Sequence, residues 1–357
     1  MKKRSKDDVK KILVIRFRQI GDTILTTALC STLKKSFPAA EVHIVLNERI
    51  APIVAGHPDI QKVITFSAAE NGNFLKYIAR VWKVVHSEDY DIIVDMRSTV
   101  RSLLFSLFSL FKKRRPLRVG CDKKYARLFQ HINIPPMPAD CDVVTGDQRF
   151  ATSLAHIAPI VQVKDFSLCV EESEKARFGQ YMAQKGIDFS RPVLLVGVTT
   201  KLAHKKWNVE YMKEVVSRIL LRYPKMQLIF NYAPGKEADE AREMFLSLGS
   251  PQAIKMDIEA KSLRELMALC SNCTFYFGNE GGTRHLVQAL GVPSYALFSP
   301  RAKKRRWLPA TSVPAHGIEP ADVLAKGIPA PVGNLFDAVT PDIVCEQLFP
   351  LLDKVVG

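Results

Sequence analysis

Three short stretches of this chain carry residue types that could do chemistry. In Tyr276-Phe277-Gly278-Asn279-Glu280-Gly281-Gly282-Thr283-Arg284-His285-Leu286, an aromatic and β-branched run gives way to paired glycines and then to helical spacing. A strand-to-helix turn of this kind gathers free backbone N–H groups at the positive end of the helix dipole, which suits a phosphate. Two glycines let the backbone approach an anion without a side chain in the way. The same pattern also serves as a tight turn in any α/β domain, and His285 reads either as a phosphate or sugar contact or as a capped core histidine. Asp22 follows Gly21 behind the apolar run Ile12–Phe17 and reads equally as a catalytic carboxylate or as the N-cap of the next helix. Arg16 and Arg18 flank that turn; they are structural, or they hold a phosphorylated partner through bidentate contacts. Thr199-Thr200-Lys201-Leu202-Ala203-His204-Lys205-Lys206-Trp207 sets two hydroxyls and three lysines ahead of a tryptophan. Left to itself it is a solvated basic loop with Trp207 as its packing anchor.

The elements that must position these residues alternate. Ile12–Phe17 is a strand with apolar residues on both faces, as in a covered parallel sheet. A helix from about Thr23 to Ser36 follows, then strands at Val42–Leu46, Val63–Phe66 and Ile92–Asp95, with helices around Tyr77–His86 and Val100–Phe111. The pattern weakens from Ile157 to Glu172, which predicts domains over 1–160 and 161–357. A second alternation runs through strand Pro192–Val198, helix Val209–Leu221, strand Met226–Phe230 and helix Lys236–Leu248. Leu263–Cys270, Thr274–Phe277, His285–Leu290 and Ser294–Phe298 complete it. Strand and helix in alternation predict an α/β protein of two doubly wound parallel sheets, with ligands beyond the strands' C-terminal ends.

The 357 residues suit two domains, and 47% hydrophobic with 24% charged content is ordinary for a globular protein. The charge balance is not ordinary. Lys and Arg number 51 against 36 Asp and Glu, a formal net charge of +15, so an anionic partner is expected. Seven cysteines are odd in number and scattered. Cys270-Ser271-Asn272-Cys273 lacks the second pair or spaced histidines a zinc site needs, so buried free thiols in a reducing compartment are expected. Met1 to Asp8 is charged with no apolar signal core behind it, and Leu103–Phe111 is far short of the ~20 residues of a spanning helix. Both features predict a chain that is neither secreted nor transmembrane.

The run from Gly278 through Gly291-Val292-Pro293-Ser294-Tyr295-Ala296-Leu297-Phe298-Ser299-Pro300 resembles the C-terminal nucleotide-sugar signature of glycosyltransferase family 9, the heptosyltransferase family of lipopolysaccharide core assembly. Glu280 stands where that family often has Asp, and Ser299 where Gly is usual. Ile20-Gly21-Asp22 is similar to the family's hydrophobic-Gly-Asp turn, and the likeness extends from Lys11 to about Pro350. It implies the GT-B architecture, two Rossmann-like domains facing a central cleft, with the last helix, about Pro341–Leu352, crossing back to the first domain. It implies an inverting, metal-independent enzyme with an ADP-heptose-like donor, no cofactor and an anionic lipopolysaccharide-core acceptor. Asp22 would take the proton of an acceptor hydroxyl as it attacks the anomeric carbon. Lys205 would neutralise charge on the departing diphosphate while Thr199 and Thr200 hold its oxygens. Glu237 would meet the ribose, and Glu280, Gly281, Gly282, Thr283 and His285 would complete the donor site, leaving Arg16 and Arg18 for the acceptor.

Leu103 and Phe108 lie on an apolar helix face that runs into Lys112-Lys113-Arg114-Arg115. This reads as core packing ending in a solvated turn, or as a docking face for an anionic membrane surface, the cytoplasmic face of the inner membrane in the reading above. Arg301, Lys303, Lys304, Arg305 and Arg306 form a second basic run. Neither run interleaves base-stacking aromatics, so nucleic acid is not the expected partner. Two rival functions stay open: a GT-B enzyme with another nucleotide-sugar donor, and a non-catalytic anion- or nucleic-acid-binding protein of the same fold.

Overall fold

Lys11–Ile15, the apolar run ahead of Arg16, forms the first strand (β1), buried on both faces along most of its length. It sits at the centre of a sheet with Glu41–Asn47 (β2), Lys62–Phe66 (β3), Ile92–Asp95 (β4), Leu117–Cys121 (β5) and Ile132–Ile134 (β6). All five pairings are parallel, in the order β3-β2-β1-β4-β5-β6. The computed structural model describes residues 5–356, so the first four residues of the charged N-terminal stretch lie outside the described part. β5 and β6 are additions to the expected pattern. Arg118 and Gly120 break the apolar run of β5, and β6 has only three residues.

The second sheet repeats the plan. Val193–Gly197 (β7), Gln227–Phe230 (β8), Ile254–Lys255 (β9), Phe275–Asn279 (β10), Ser294–Leu297 (β11) and Ala315–Ile318 (β12) lie in the order β12-β11-β10-β7-β8-β9, again all parallel. In each sheet the chain starts near the middle, winds to one edge, then returns and winds to the other. The reversal falls between β1 and β4 in one unit and between β7 and β10 in the other. In doubly wound sheets ligands bind beyond the strand ends at that point. This is the α/β fold of the GT-B class, one doubly wound domain per half of the chain.

The units divide between Cys169 and Val170, later than the expected break after residue 160. Polar pairing explains the difference. The backbone N–H groups of Val161, Val163 and Ser167 donate to the hydroxyls of Ser36 (2.9 Å), Thr32 (2.8 Å) and Thr27 (3.2 Å), so this extended segment is laid along the helix Ile20–Ser36. That helix is buried nearly throughout and packs against the helix Val143–Thr152, which the sequence pattern did not predict.

The last helix, Pro341–Val356, packs within the second unit. Val344, Cys345, Leu348 and Leu352 on its buried face belong to the second unit's core, with Val215, Ile219 and Phe336. Tyr223 Oη donates to the carbonyl of Phe349 at 3.1 Å, fixing it to the helix Val209–Arg222.

Candidate functional site

In the second unit the C-terminal ends of β7 and β10 are brought close by glycine. Gly278 and Gly197 face each other in register, and a Cβ at Gly278, whose φ is +150°, would lie 2.5 Å from the carbonyl oxygen of Gly197. Only glycine fits there. Asn279 then ties three segments together. Its side chain donates to the carbonyls of Gly197 (3.1 Å) and Val198 (3.3 Å) and accepts from the backbone N–H of Trp207 (2.8 Å). Trp207 is buried and donates its indole N–H to the carbonyl of Val339 at 2.9 Å. The expected packing anchor is therefore real, and it holds the Thr199–Lys206 loop against the end of β10.

That anchoring brings Lys205 to Glu280, Nζ to Oε2 at 2.6 Å. Beyond Glu280 the helix Gly282–Ala289 begins with Gly281 as its N-cap and no side-chain cap on its first turn. The first-turn amides thus keep their capacity for an anion. A Cβ on Gly281 would meet nothing within 4 Å and its φ of 178° is ordinary extended backbone, so the fold itself does not require glycine there. Thr283 Oγ1 accepts from Asn231 Nδ2 at 3.1 Å, and Thr199 Oγ1 donates to Glu237 Oε2 at 2.9 Å. Thr200 lies half-buried in the same loop. The expected donor residues thus gather at the reversal point between β7 and β10.

Charge there is tightly arranged. Burial alone would push the Glu280 carboxyl up, but the His285 ring and the Lys205 ammonium beside it outweigh burial and hold it at about 2. His285 is buried, with Nε2 3.8 Å from Glu280 Oε1; desolvation first, and the neighbouring Arg284 second, lower it to about 4. Arg284 is fully enclosed and donates to Gln288, to His285 Nδ1 and to the carbonyl of Trp307. Arg284 Nη2 lies against both ring nitrogens of His285, 3.1 Å from Nε2, a cation that favours the neutral imidazole. His285 is thus a buried histidine set between Arg284 and Glu280.

The first unit carries the other constellation. Arg16 is buried at the end of β1, with Nη2 3.3 Å from Asp22 Oδ1 and 3.4 Å from Asp147 Oδ2. Arg18 is half-exposed, its Nε 3.8 Å from the same Asp22 oxygen. The helix begins at Ile20 with Gln19 as N-cap, so Asp22 lies inside the first turn and is not the cap. Asp147, on the helix Val143–Thr152, joins from a region with no signal in its residue pattern; burial pushes its carboxyl up to about 6 against the pull of Arg16. Arg97, at the end of β4, donates Nη1 to the carbonyl of Phe17 at 3.1 Å and places another cation near this turn.

The basic runs behave differently from a free docking patch. Leu103 is buried and Phe108 half-buried in the first unit's core. Lys112 pairs with Asp89 at 2.7 Å and Arg114 with Asp91 at 2.6 Å. What this face exposes is Trp82 and Phe111, rings 5.9 Å apart, beside the exposed Lys113. In the other run Lys304 pairs with Asp322 at 2.6 Å. Among the described residues no helix is long and apolar enough to cross a membrane, no group of three or more His, Cys, Asp or Glu could hold a metal, and all seven cysteines are free.

Residues 78–313 match the family model described as glycosyltransferase family 9 (heptosyltransferase). Lipopolysaccharide heptosyltransferase 3 of Escherichia coli K12 is 30% identical over 79% of this chain and 80% of its own length. A crystal structure of a family 9 glycosyl transferase from Veillonella parvula superposes with a TM-score of 0.83 at 16% identity, covering 99% of both chains. The E. coli heptosyltransferase WaaC with ADP-2-deoxy-2-fluoro heptose superposes with a TM-score of 0.69 at 16% identity, over 96% of this chain and 99% of that one.

Proposed function

The chain belongs to glycosyltransferase family 9, the heptosyltransferases, and is a transferase enzyme; on that premise we propose that it moves a heptose from ADP-heptose to an anionic sugar of the lipopolysaccharide core, inverting the anomeric carbon. The observation that carries the reading is the Lys205–Glu280 pair beside an uncapped helix N-terminus where the second sheet reverses. The diphosphate oxygens take the first-turn amides of Gly282–Ala289 and the hydroxyls of Thr199, Thr200 and Thr283. Lys205 meets the charge that grows as the anomeric C–O bond breaks and its electron pair leaves with ADP. Glu237 accepts from the ribose, while Glu280 and His285 address the sugar.

In the first unit Asp22 takes the proton of the attacking hydroxyl, and Arg16 with Arg18 offers cationic donors to the acceptor. A single attack opposite the leaving group, with no covalent enzyme intermediate, inverts the carbon. In this reading no divalent ion is needed, because ammonium and amide groups stand where leaving-group charge develops.

The test is transfer by the purified protein from a panel of nucleotide sugars to heptose-free lipopolysaccharide core, with EDTA present. Transfer from ADP-heptose alone, with the opposite anomeric configuration in the product, is the expected result. Turnover of another nucleotide sugar instead, or retention, contradicts it.

A second element is a peripheral contact with an anionic membrane on the cytoplasmic side. Its support is the exposed Trp82 and Phe111 pair next to Lys113, since an aromatic ring beside a cation suits a headgroup boundary.

A further inference from the structure

Arg16 is one buried guanidinium set against two buried carboxylates. Nη2 reaches Asp22 Oδ1 at 3.3 Å and Asp147 Oδ2 at 3.4 Å, and its Nε has no hydrogen-bond partner among the described residues. One positive charge cannot satisfy both acids fully, so whatever Asp147 draws from Arg16 is withheld from Asp22. We propose that Asp147 is a positioning residue that acts through Arg16 to keep Asp22 an effective proton acceptor. The inference rests on Asp22 being the base.

The physical reason is competition for one cation. With Asp147 ionised, Arg16 is shared between two carboxylates and Asp22 holds only part of it, while Arg18 and Arg97 act on Asp22 whichever state Asp147 is in. With Asp147 neutral, Arg16 is left to Asp22 alone, stabilises its anion and makes it a weaker base, so transfer slows. Asp147 titrates where this matters, because burial raises it to about 6.

The other groups facing it do not displace this role. Arg18, from the turn after β1, is half-exposed and its charge is screened by solvent. Cys30, on the helix Ile20–Ser36, is a thiol that burial pushes up to about 12, so it stays neutral. Asp142 is engaged as the N-cap of its own helix, accepting from Thr145 N–H at 2.9 Å and from its hydroxyl at 2.6 Å.

The alternative is that Asp147 merely pins the helix Val143–Thr152 to the helix Ile20–Ser36. Steady-state kcat with ADP-heptose and saturating acceptor, measured from pH 5 to 8.5, separates the two (a pH range chosen to bracket about 6). Wild type should show a kcat inflection near 6. Asp147→Asn should lose it and sit, at every pH, near the low-pH level of wild type, roughly five- to twentyfold below the wild-type plateau, a range set by partial proton transfer to a weakened base. Donor KM should not move. Asp147→Glu, which keeps the charge, should restore the inflection. An Asp147→Asn profile parallel to wild type overturns the proposal; if that variant does not fold, a wild-type profile without the inflection, or Asp147→Glu lacking it, overturns it as well. Asp22→Asn is run alongside. If it stays active, the base assignment and this inference both fall; if it is inactive while the Asp147→Asn profile keeps its shape, only the inference falls.

Discussion

The ammonium of Lys205 lies 2.6 Å from a carboxylate, Glu280, that is only 3% exposed. The pair, neutral overall, fixes the ammonium beside an uncapped helix start, held in place by the Asn279 and Trp207 contacts. A diphosphate entering there meets a cation already oriented, which lowers the ordering cost of binding. Lys205→Ala removes that charge-assisted contact, worth roughly 1.5–3 kcal/mol. ADP affinity should fall by about ten- to a hundredfold in calorimetry, with turnover falling as well. Unchanged affinity and unchanged turnover would mean that Lys205 does not meet the donor.

Asn279 is expected to matter through placement rather than contact. Asn279→Ala strands the carbonyls of Gly197 and Val198 and the N–H of Trp207, all in a buried setting. Unsatisfied buried groups cost about 1–3 kcal/mol each, and partial relaxation brings the expected total to about 2–4 kcal/mol. Urea unfolding reads this directly. A loss below about 0.5 kcal/mol, the scale of an ordinary surface change, contradicts the tie.

Asp147 and His285 make opposite pH-dependent contributions to stability. Asp147 has a folded value raised to about 6, so its favourable contribution is present at low pH and is lost as pH rises from about 4 to about 6. His285 has a folded value lowered to about 4, so its neutral burial is fully tolerated above 6.5 and becomes costly as pH falls toward 4. Each contribution is bounded at roughly 3 kcal/mol, because a tenfold change in proton affinity is worth about 1.4 kcal/mol. Relative to wild type, Asp147→Asn should gain stability between pH 4 and 6. His285→Gln should lose less than wild type on acidification. Parallel stability curves for all three proteins would contradict both assignments.

The membrane element predicts that Trp82→Asp with Phe111→Asp reduces flotation on anionic vesicles, and that the wild-type signal fades with salt. Donor affinity should stay unchanged, since neither residue lies in the second unit. Equal flotation of the double variant and wild type would leave this face a solvent-exposed edge of the fold.

Much of this architecture is legible in the sequence because both sheets are parallel and covered, so β1, β2, β4, β7 and β10 stand out as short apolar runs. The strand-to-helix turns that follow β1 and β10 are legible for the same reason. Asp147 is not legible: it lies in a polar helix far along the chain from Asp22, and only the packing of that helix on Ile20–Ser36 brings it to Arg16. The link through Arg284 escapes as well, because nothing in its spacing says that a guanidinium next to His285 turns inward. Leu103 fails in the other direction. An apolar helix face reads the same whether it meets lipid or its own sheet, and here it meets the sheet. β5, β6, β9 and β12 are too short, or too interrupted by residues such as Arg118, to rise above a loop.

The proposed chemistry turns on Asp22 accepting the acceptor's proton during heptose transfer. Asp22→Asn conserves shape but cannot take a proton at that position. With ADP-heptose and a heptose-free core acceptor, turnover should drop by about 10²- to 10⁴-fold, with ADP-heptose affinity by calorimetry within about twofold of wild type. Turnover within a few-fold of wild type would contradict the assignment and leave Asp22 as a first-turn carboxylate that only neutralises Arg16.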